Sequence, residues 1–351
     1  MKYYSNIQAL RGVAALSVLL FHFFNYSITA FVHTNLYRKV FAFGEHAVPM
    51  FFVISGFVIT RILLNSKGSQ NYFKKFYLNR IRRIFPLYYL FLIIWYFILP
   101  FILNFSNPHF VSLKSQYPLY IFMQNFYFLF PEKMYGPAHY WSLAVEEHFY
   151  LLWPLIIYIT PIKKLRYVMI FLLLLVYPVR LYFLRAGIDI QFNTFTRYDQ
   201  ILLGAVLAYF EYKNYFVKYK VKMKRLFKAL FAVTFILSLI VFFAYDYYPL
   251  LKLLFKHTII GLFFFSLIGL LIIGDLPSYF NKILNSSVLQ YLGKISYGIY
   301  VWHLLFLLIY AKLGIMNILL LLALSVGSTI IVAHISYFYF ETMFLKKNKY
   351  V

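Results

Sequence analysis

Hydrophobic positions in the 351 residues neither alternate with polar ones nor recur at an amphipathic period. They run together in stretches of about twenty, the length that crosses a ~30 Å hydrocarbon core as a helix. Ten such stretches can be drawn: Ile7 to Phe31, Phe41 to Leu64, Ile84 to Asn104, Tyr140 to Thr160, Tyr167 to Leu184, Tyr198 to Tyr212, Ala229 to Tyr245, Thr258 to Ile273, Val288 to Tyr310 and Asn317 to Phe340. The pattern predicts an all-α polytopic integral membrane protein of about ten transmembrane helices, with residues 1–351 forming one transmembrane domain and no separate soluble domain. Tyr117 to Phe130 is apolar but short and bounded by prolines, which suits a re-entrant or interfacial segment better than a further crossing. The first stretch is longer than a signal-peptide core, carries Arg11 and meets no small-residue cleavage site, so it is read as a retained helix.

The cations between the stretches orient them. Lys67, Lys74, Lys75, Arg80, Arg82 and Arg83 fill the second loop, Lys163, Lys164 and Arg166 the fourth, and Lys213, Lys218, Lys220, Lys222, Lys224, Arg225 and Lys228 the sixth. Odd loops hold only scattered cations such as Arg38, Lys39, Lys114, Lys133, Arg185 and Lys312, while Lys346, Lys347 and Lys349 follow the last stretch. Even loops and both termini are therefore predicted to be cytoplasmic. A formal charge of +24 thus has a topological cause and does not call for nucleic acid. With 63% hydrophobic and 13% charged residues, a polar shell around a soluble core is excluded. The absence of cysteine excludes disulfides, a thiol nucleophile and thiolate metal sites. No metal-binding, Walker or dinucleotide motif is present, and no metal is expected.

Ionisable residues inside the stretches narrow the chemistry, because an arginine or aspartate costs about 2.5–3.5 kcal/mol near a bilayer centre and a face that carries such groups meets protein or water. Arg11 and His22 are eleven residues apart, three helical turns plus about 20°, and share one face roughly 16 Å apart. Depth counted from the predicted ends puts His22, His303, Glu146 and Glu147 in one layer toward the outer leaflet, where imidazoles and carboxylates can form an acid/base site. Glu146 or Glu147 would hydrogen-bond one nitrogen of His22 and make the other a better base or nucleophile. The plainer readings stand beside this one. His22 can be bonded to a neighbouring helix, Glu146 can pair structurally with Arg180 or Arg197, Arg80 and Arg83 can be topological charges, and Arg11 can snorkel to headgroups. Ser142, Glu146 and Trp153 share a face, as do Ser296, Tyr300 and His303. Glu45, His46, Arg197 and Asp199 are expected near the outer mouth as solvated charges. A proton-coupled secondary transporter using His22, Glu146 and Glu147 as a relay is the rival class, without the internal repeat it would lead one to look for.

Several blocks, in order, resemble the membrane-bound acyltransferase 3 family. Arg11 with His22 resembles its first-helix signature and Phe51-Phe52-Val53-Ile54-Ser55-Gly56-Phe57 its second-helix block. Arg80 to Arg83 is similar to its RxxR element, and Trp141-Ser142-Leu143 with Glu146-Glu147 to its WSLxxEE block. Arg197-Tyr198-Asp199 before Leu202-Leu203-Gly204, and Leu292-Gly293 through His303, resemble its later signatures. Tyr339-Phe340-Glu341-Thr342 departs from it, with threonine where the family often has proline. The resemblance implies O-acylation of an extracytoplasmic or membrane-linked glycan from cytoplasmic acyl-CoA, most often acetyl-CoA, in the bacterial cytoplasmic membrane. Arg11, Arg80 and Arg83 would then hold the donor's phosphates, His22 would be base or acyl carrier with Glu146 or Glu147 orienting it, and Trp141, Ser142, Tyr300 and His303 would contact the oxyanion or substrate. Larger members carry an extracytoplasmic hydrolase-like domain after the membrane part; a partner, if one is needed here, is expected to be encoded elsewhere.

Overall fold

The computed structural model describes residues 3–31, 43–103, 113–130, 136–243, 249–315 and 317–345, and contains no strand among them. Arg38, Lys39, Lys133, Lys346, Lys347, Lys349 and the side chain of Glu45 lie outside the described residues. The long helices are α1 (Ser5–Phe31), α2 (Ala47–Ser66), α3 (Tyr72–Ile93, prolonged by a π-turn over Ile94–Ile98), then, after the short α4 (Leu113–Tyr120), α5 (Trp141–Ile159), α6 (Ile162–Arg185), α7 (Thr194–Tyr212), α8 (Lys220–Phe243) and α9 (Pro249–Ile273). The short α10 (Ser287–Lys294) leads into α11 (Ser296–Lys312), and α12 (Ile318–Ile335) runs on through a π-turn over Ser336–Glu341. Seven helices among the described residues are long and apolar enough to cross a membrane, and α10 with α11, bent by 73°, would make an eighth. Helices α5 and α7 are nineteen residues each but carry Glu146 and Glu147, and Arg197, Asp199 and Glu211. Residues 117–130 form the end of α4 and a 3-10 turn, not a long helix.

Three boundaries differ from the hydropathy reading. Helix α3 begins at Tyr72, not Ile84, so Arg80 and Arg83 stand inside a helix and not at its entrance. Hydropathy placed the start where the charges stop, but cations facing a polar cavity need not end a helix. Helix α8 likewise begins at Lys220, nine residues before Ala229. The stretch from Val288 to Tyr310 is two helices, broken where Ile295 leaves helical geometry and Ser296 Oγ donates to Gly293 O at 2.9 Å.

Close backbone approaches lock the centre. A Cβ on Gly204 would lie 2.7 Å from Phe57 N, so α7 crosses α2 nearly in backbone contact. A Cβ on Gly12 would lie 2.7 Å from Gly293 N, which seats α1 on the α10–α11 break. That second contact brings His22 of α1 alongside His303 of α11. Arg180 and Asp199, both fully buried, pair at 2.8 Å between α6 and α7, and Arg180 also donates to Thr196 O, Leu254 O and Thr258 Oγ1. The expectation that Arg197 and Asp199 are solvated fails: Arg197 is 3% exposed and Asp199 0%. A charge in this chain is buried where the neighbouring helices supply its partners, which hydropathy does not register.

Candidate active site

Helices α1, α2, α3, α5 and α11 enclose a cavity of about 770 Å³. One end lies by the α2–α3 turn, at Ser66, Ser69 and Lys75; the other reaches Val48, Phe51, Ser142 and Tyr300. Arg11, Arg80 and Arg83 stand on its wall between the two ends, so the three cations that the sequence singled out converge. Arg11 and Arg80 make no hydrogen bond or ion pair to a described residue, and Arg80 Nε is buried without an acceptor. Arg83 has one distant carboxylate, Glu341 at 3.7 Å, and lies 5.9 Å from the rings of Tyr297 and Tyr337. A guanidinium carries five donors, and buried ones are normally matched. Fifteen donors facing one another across a cavity with a single carboxylate in ion-pair range define a place for a polyanion.

Glu146 faces this cavity beside the hydroxyls of Ser55 and Tyr150, within Coulombic range of Arg11 and Arg80. Ser55 and Tyr150 also share a short hydrogen bond. Glu147, one residue on and turned about 100° away, leaves the cavity wall; its Oε1 is buried without a hydrogen-bond partner, with Glu146 and Arg80 as charged neighbours. Neither carboxylate reaches His22, whose hydrogen-bond partners are Val18 O at 3.0 Å and His303 Nε2 at 3.1 Å. The predicted layer of four therefore splits: the histidines meet, while the glutamates belong with the arginines. The error lies in taking Tyr140 as the outer surface. His139 is 2% and Tyr140 0% exposed, so α5 starts well inside the protein, and Glu146 lies about 6 Å further along it than Ser142. Nor does Glu146 pair with Arg180 or Arg197, since Arg180 is taken by Asp199 and Arg197 lies 5.0 Å from the ring of Trp141.

Between the cavity and the histidines stand two hydroxyls. Tyr300 OH donates to His139 O at 2.7 Å, and Ser142 Oγ lies 2.5 Å from Tyr300 OH and 3.3 Å from the same carbonyl. As oxyanion donors, both would have to turn from this carbonyl. Trp141 is off the cavity, packed against Arg197 and 5.1 Å from the ring of Phe192. The His139 ring lies 4.7 Å from that of His303 and 6.5 Å from that of His22, completing a group of three imidazoles. Sequence reasoning missed His139, because it precedes α5 in a 3-10 turn with no periodicity to place it. Ser55 and Tyr150 were missed as well, although Tyr150 is four residues from Glu146 on the same helix and was findable by spacing.

The acyltransferase domain family matches residues 4–337. The peptidoglycan O-acetyltransferase OatA of Listeria monocytogenes is 26% identical, over 100% of this chain and 57% of its own length. YrhL of Bacillus subtilis, provisionally named a peptidoglycan O-acetyltransferase, is 29% identical over 86% of this chain and 48% of its own. A Staphylococcus aureus protein provisionally named an O-acetyltransferase is 26% identical over 99% and 58%. The chain thus spans about half the length of the curated relatives it matches. No solved structure matches it significantly. Through a match that covers nearly every residue, including Arg11, Arg80, Arg83, Glu146 and the three histidines, the chain belongs to the acyltransferase 3 family.

Proposed function

We propose that the protein moves an acyl group, most simply acetyl, from cytoplasmic acyl-CoA to a hydroxyl of an extracytoplasmic or membrane-linked glycan, peptidoglycan being the acceptor named for its relatives. The observation that carries this reading is the cavity in which Arg11, Arg80 and Arg83 converge with a single carboxylate, Glu341 at 3.7 Å from Arg83, in ion-pair range and Arg80 Nε buried without an acceptor. A nucleotide polyphosphate supplies the acceptors they lack, and a pantetheine-like arm fits the apolar wall that continues past Phe51 to Ser142 and Tyr300. In this reading ten helices cross the bacterial cytoplasmic membrane with both termini inside, the α2–α3 turn faces the cytoplasm, and residues 1–351 act as one unit.

His22 serves as the base. Its Nε2 takes the proton of the acceptor hydroxyl as the oxygen attacks the thioester carbonyl. Ser142 or Tyr300, turned from His139 O, stabilises the oxyanion. The C–S bond then breaks and the thiolate recovers the proton from the imidazolium. Glu146 lowers the net charge of the arginine cluster and keeps the donor's phosphates from binding too tightly to release. The test is mass spectrometry of cell-wall glycan from cells with and without the protein. O-acetyl esters should disappear without it, return with the wild-type gene, and stay absent with His22→Gln. Unchanged ester content in the deletion would overturn the reading.

A further inference from the structure

The contacts around the two bonded histidines fix where their protons sit. Val18 O and Tyr300 O are carbonyls and can only accept, so His22 Nδ1 at 3.0 Å and His303 Nδ1 at 2.7 Å each carry a hydrogen. His303 Nε2 lies 3.1 Å from His22 Nδ1. His22 Nδ1 has one hydrogen, shared between Val18 O and His303 Nε2 in a bifurcated bond, so His303 Nε2 presents its lone pair and, with its own hydrogen on Nδ1, His303 is neutral. His22 Nε2 is then the one nitrogen of the bonded pair that keeps an unengaged lone pair. Nothing on His303 is free to do chemistry: both its nitrogens are committed, it is 3% exposed, and the ring of His139 packs 4.7 Å away.

We infer that His303 is a positioning residue, taking the place that the sequence reading gave to a glutamate: as the second acceptor of the Nδ1 hydrogen that Val18 O also receives, it holds the ring orientation of His22 and reinforces the tautomer with Nε2 as the basic atom. This rests on the reading of His22 as base. When Nε2 takes the acceptor's proton, the O–H bond breaks, an N–H bond forms, and the positive charge on His22 strengthens its Nδ1–H hydrogen bond to His303. A neutral imidazole does this without placing a second negative charge in the membrane, where a carboxylate would need its own partner. The Gly12–Gly293 contact and the 73° break between α10 and α11 hold the two rings at 4.9 Å.

The test compares His303→Leu with His303→Gln in the full chain reconstituted in nanodiscs. Gln keeps an acceptor near the position of Nε2 but cannot become an imidazolium, whereas Leu keeps bulk alone. Acetyl transfer should fall about 10- to 100-fold in kcat for His303→Leu, the loss expected for one hydrogen bond to a charged group, with the donor KM unchanged. His303→Gln should recover most of it. The second readout is the nitrogen-15 histidine spectrum of resting protein, with His22 assigned by its loss in His22→Gln. It should show His22 protonated at Nδ1 and bare at Nε2, and His303→Leu should move the Nδ1 proton upfield while His303→Gln leaves it in place. An Nε2-protonated His22 in the wild type, or a Leu variant that matches Gln in rate and spectrum, would overturn the inference. The spectrum needs no donor or acceptor, so it decides the positioning role even in a preparation that transfers nothing, where the proposed function alone would fail.

Discussion

Replacing Arg80 with alanine separates a ligand-binding arginine from a structural one more cleanly than any other change at the cavity. Arg80 gives up no hydrogen bond or ion pair to a described residue, and the repulsion from Arg83 that its removal relieves offsets part of the attraction to Glu146 and Glu147 that it forfeits. Stability should therefore change by less than about 1 kcal/mol. Donor affinity should suffer more, because a hydrogen bond between charged groups contributes about 1.5–3 kcal/mol, or roughly 10- to 150-fold in Kd. Arg83→Ala would not give so clear a result, since it leaves the buried Glu341 without its ion-pair partner and mixes folding with binding. The assay is equilibrium binding of acetyl-CoA to protein in nanodiscs, with the thermal midpoint measured on the same samples. An Arg80→Ala protein that keeps wild-type stability and wild-type affinity would refute the assignment of this cavity to a phosphorylated donor.

Asp199→Ala should cost about 3–5 kcal/mol, seen as lost folded yield, because Arg180 would keep its charge in a fully buried place. Gly204→Leu should abolish assembly, since even a Cβ would lie 2.7 Å from Phe57 N; size-exclusion profiles after detergent extraction would report it. Tyr300→Phe should lower kcat about 10- to 100-fold with little change in donor KM, as removal of a transition-state donor does; a raised KM at constant kcat would make Tyr300 a donor-binding residue instead. Reporter fusions after Leu64, Thr160 and Tyr212 should read cytoplasmic and those near Lys114 and Arg185 external, and a cytoplasmic result near Lys114 would overturn the ten-span topology.

Much of this was legible in the chain because the membrane restricts backbone choice so severely. Stretches of twenty apolar residues in lipid can only be helices, and a cation or imidazole among them must face inward. Hence Arg11, Arg80 and Arg83 could be nominated and do share a cavity, and His22 and His303 could be matched by depth and do touch. Depth counting failed for Glu146 and Glu147 because it assumed that helix α5 starts at the water, whereas the turn holding His139 and Tyr140 is itself buried. Periodicity could not anticipate the break at Ile295, which depends on Ser296 capping onto Gly293 O and on α1 packing against Gly293. It also could not show that Arg197 is buried over Trp141, since that contact joins residues 56 positions apart.

The transfer itself is the most direct test. Inverted membrane vesicles expose the cytoplasmic face, so acetyl-CoA labelled in the acetyl group can be supplied there and the lumenal glycan examined for alkali-labile label. Label should enter the glycan with the wild-type protein and be absent with His22→Gln, at equal expression of the two. Label entering the glycan at the wild-type rate with His22→Gln, or failing to enter it with the wild type, would contradict acyl transfer by this site.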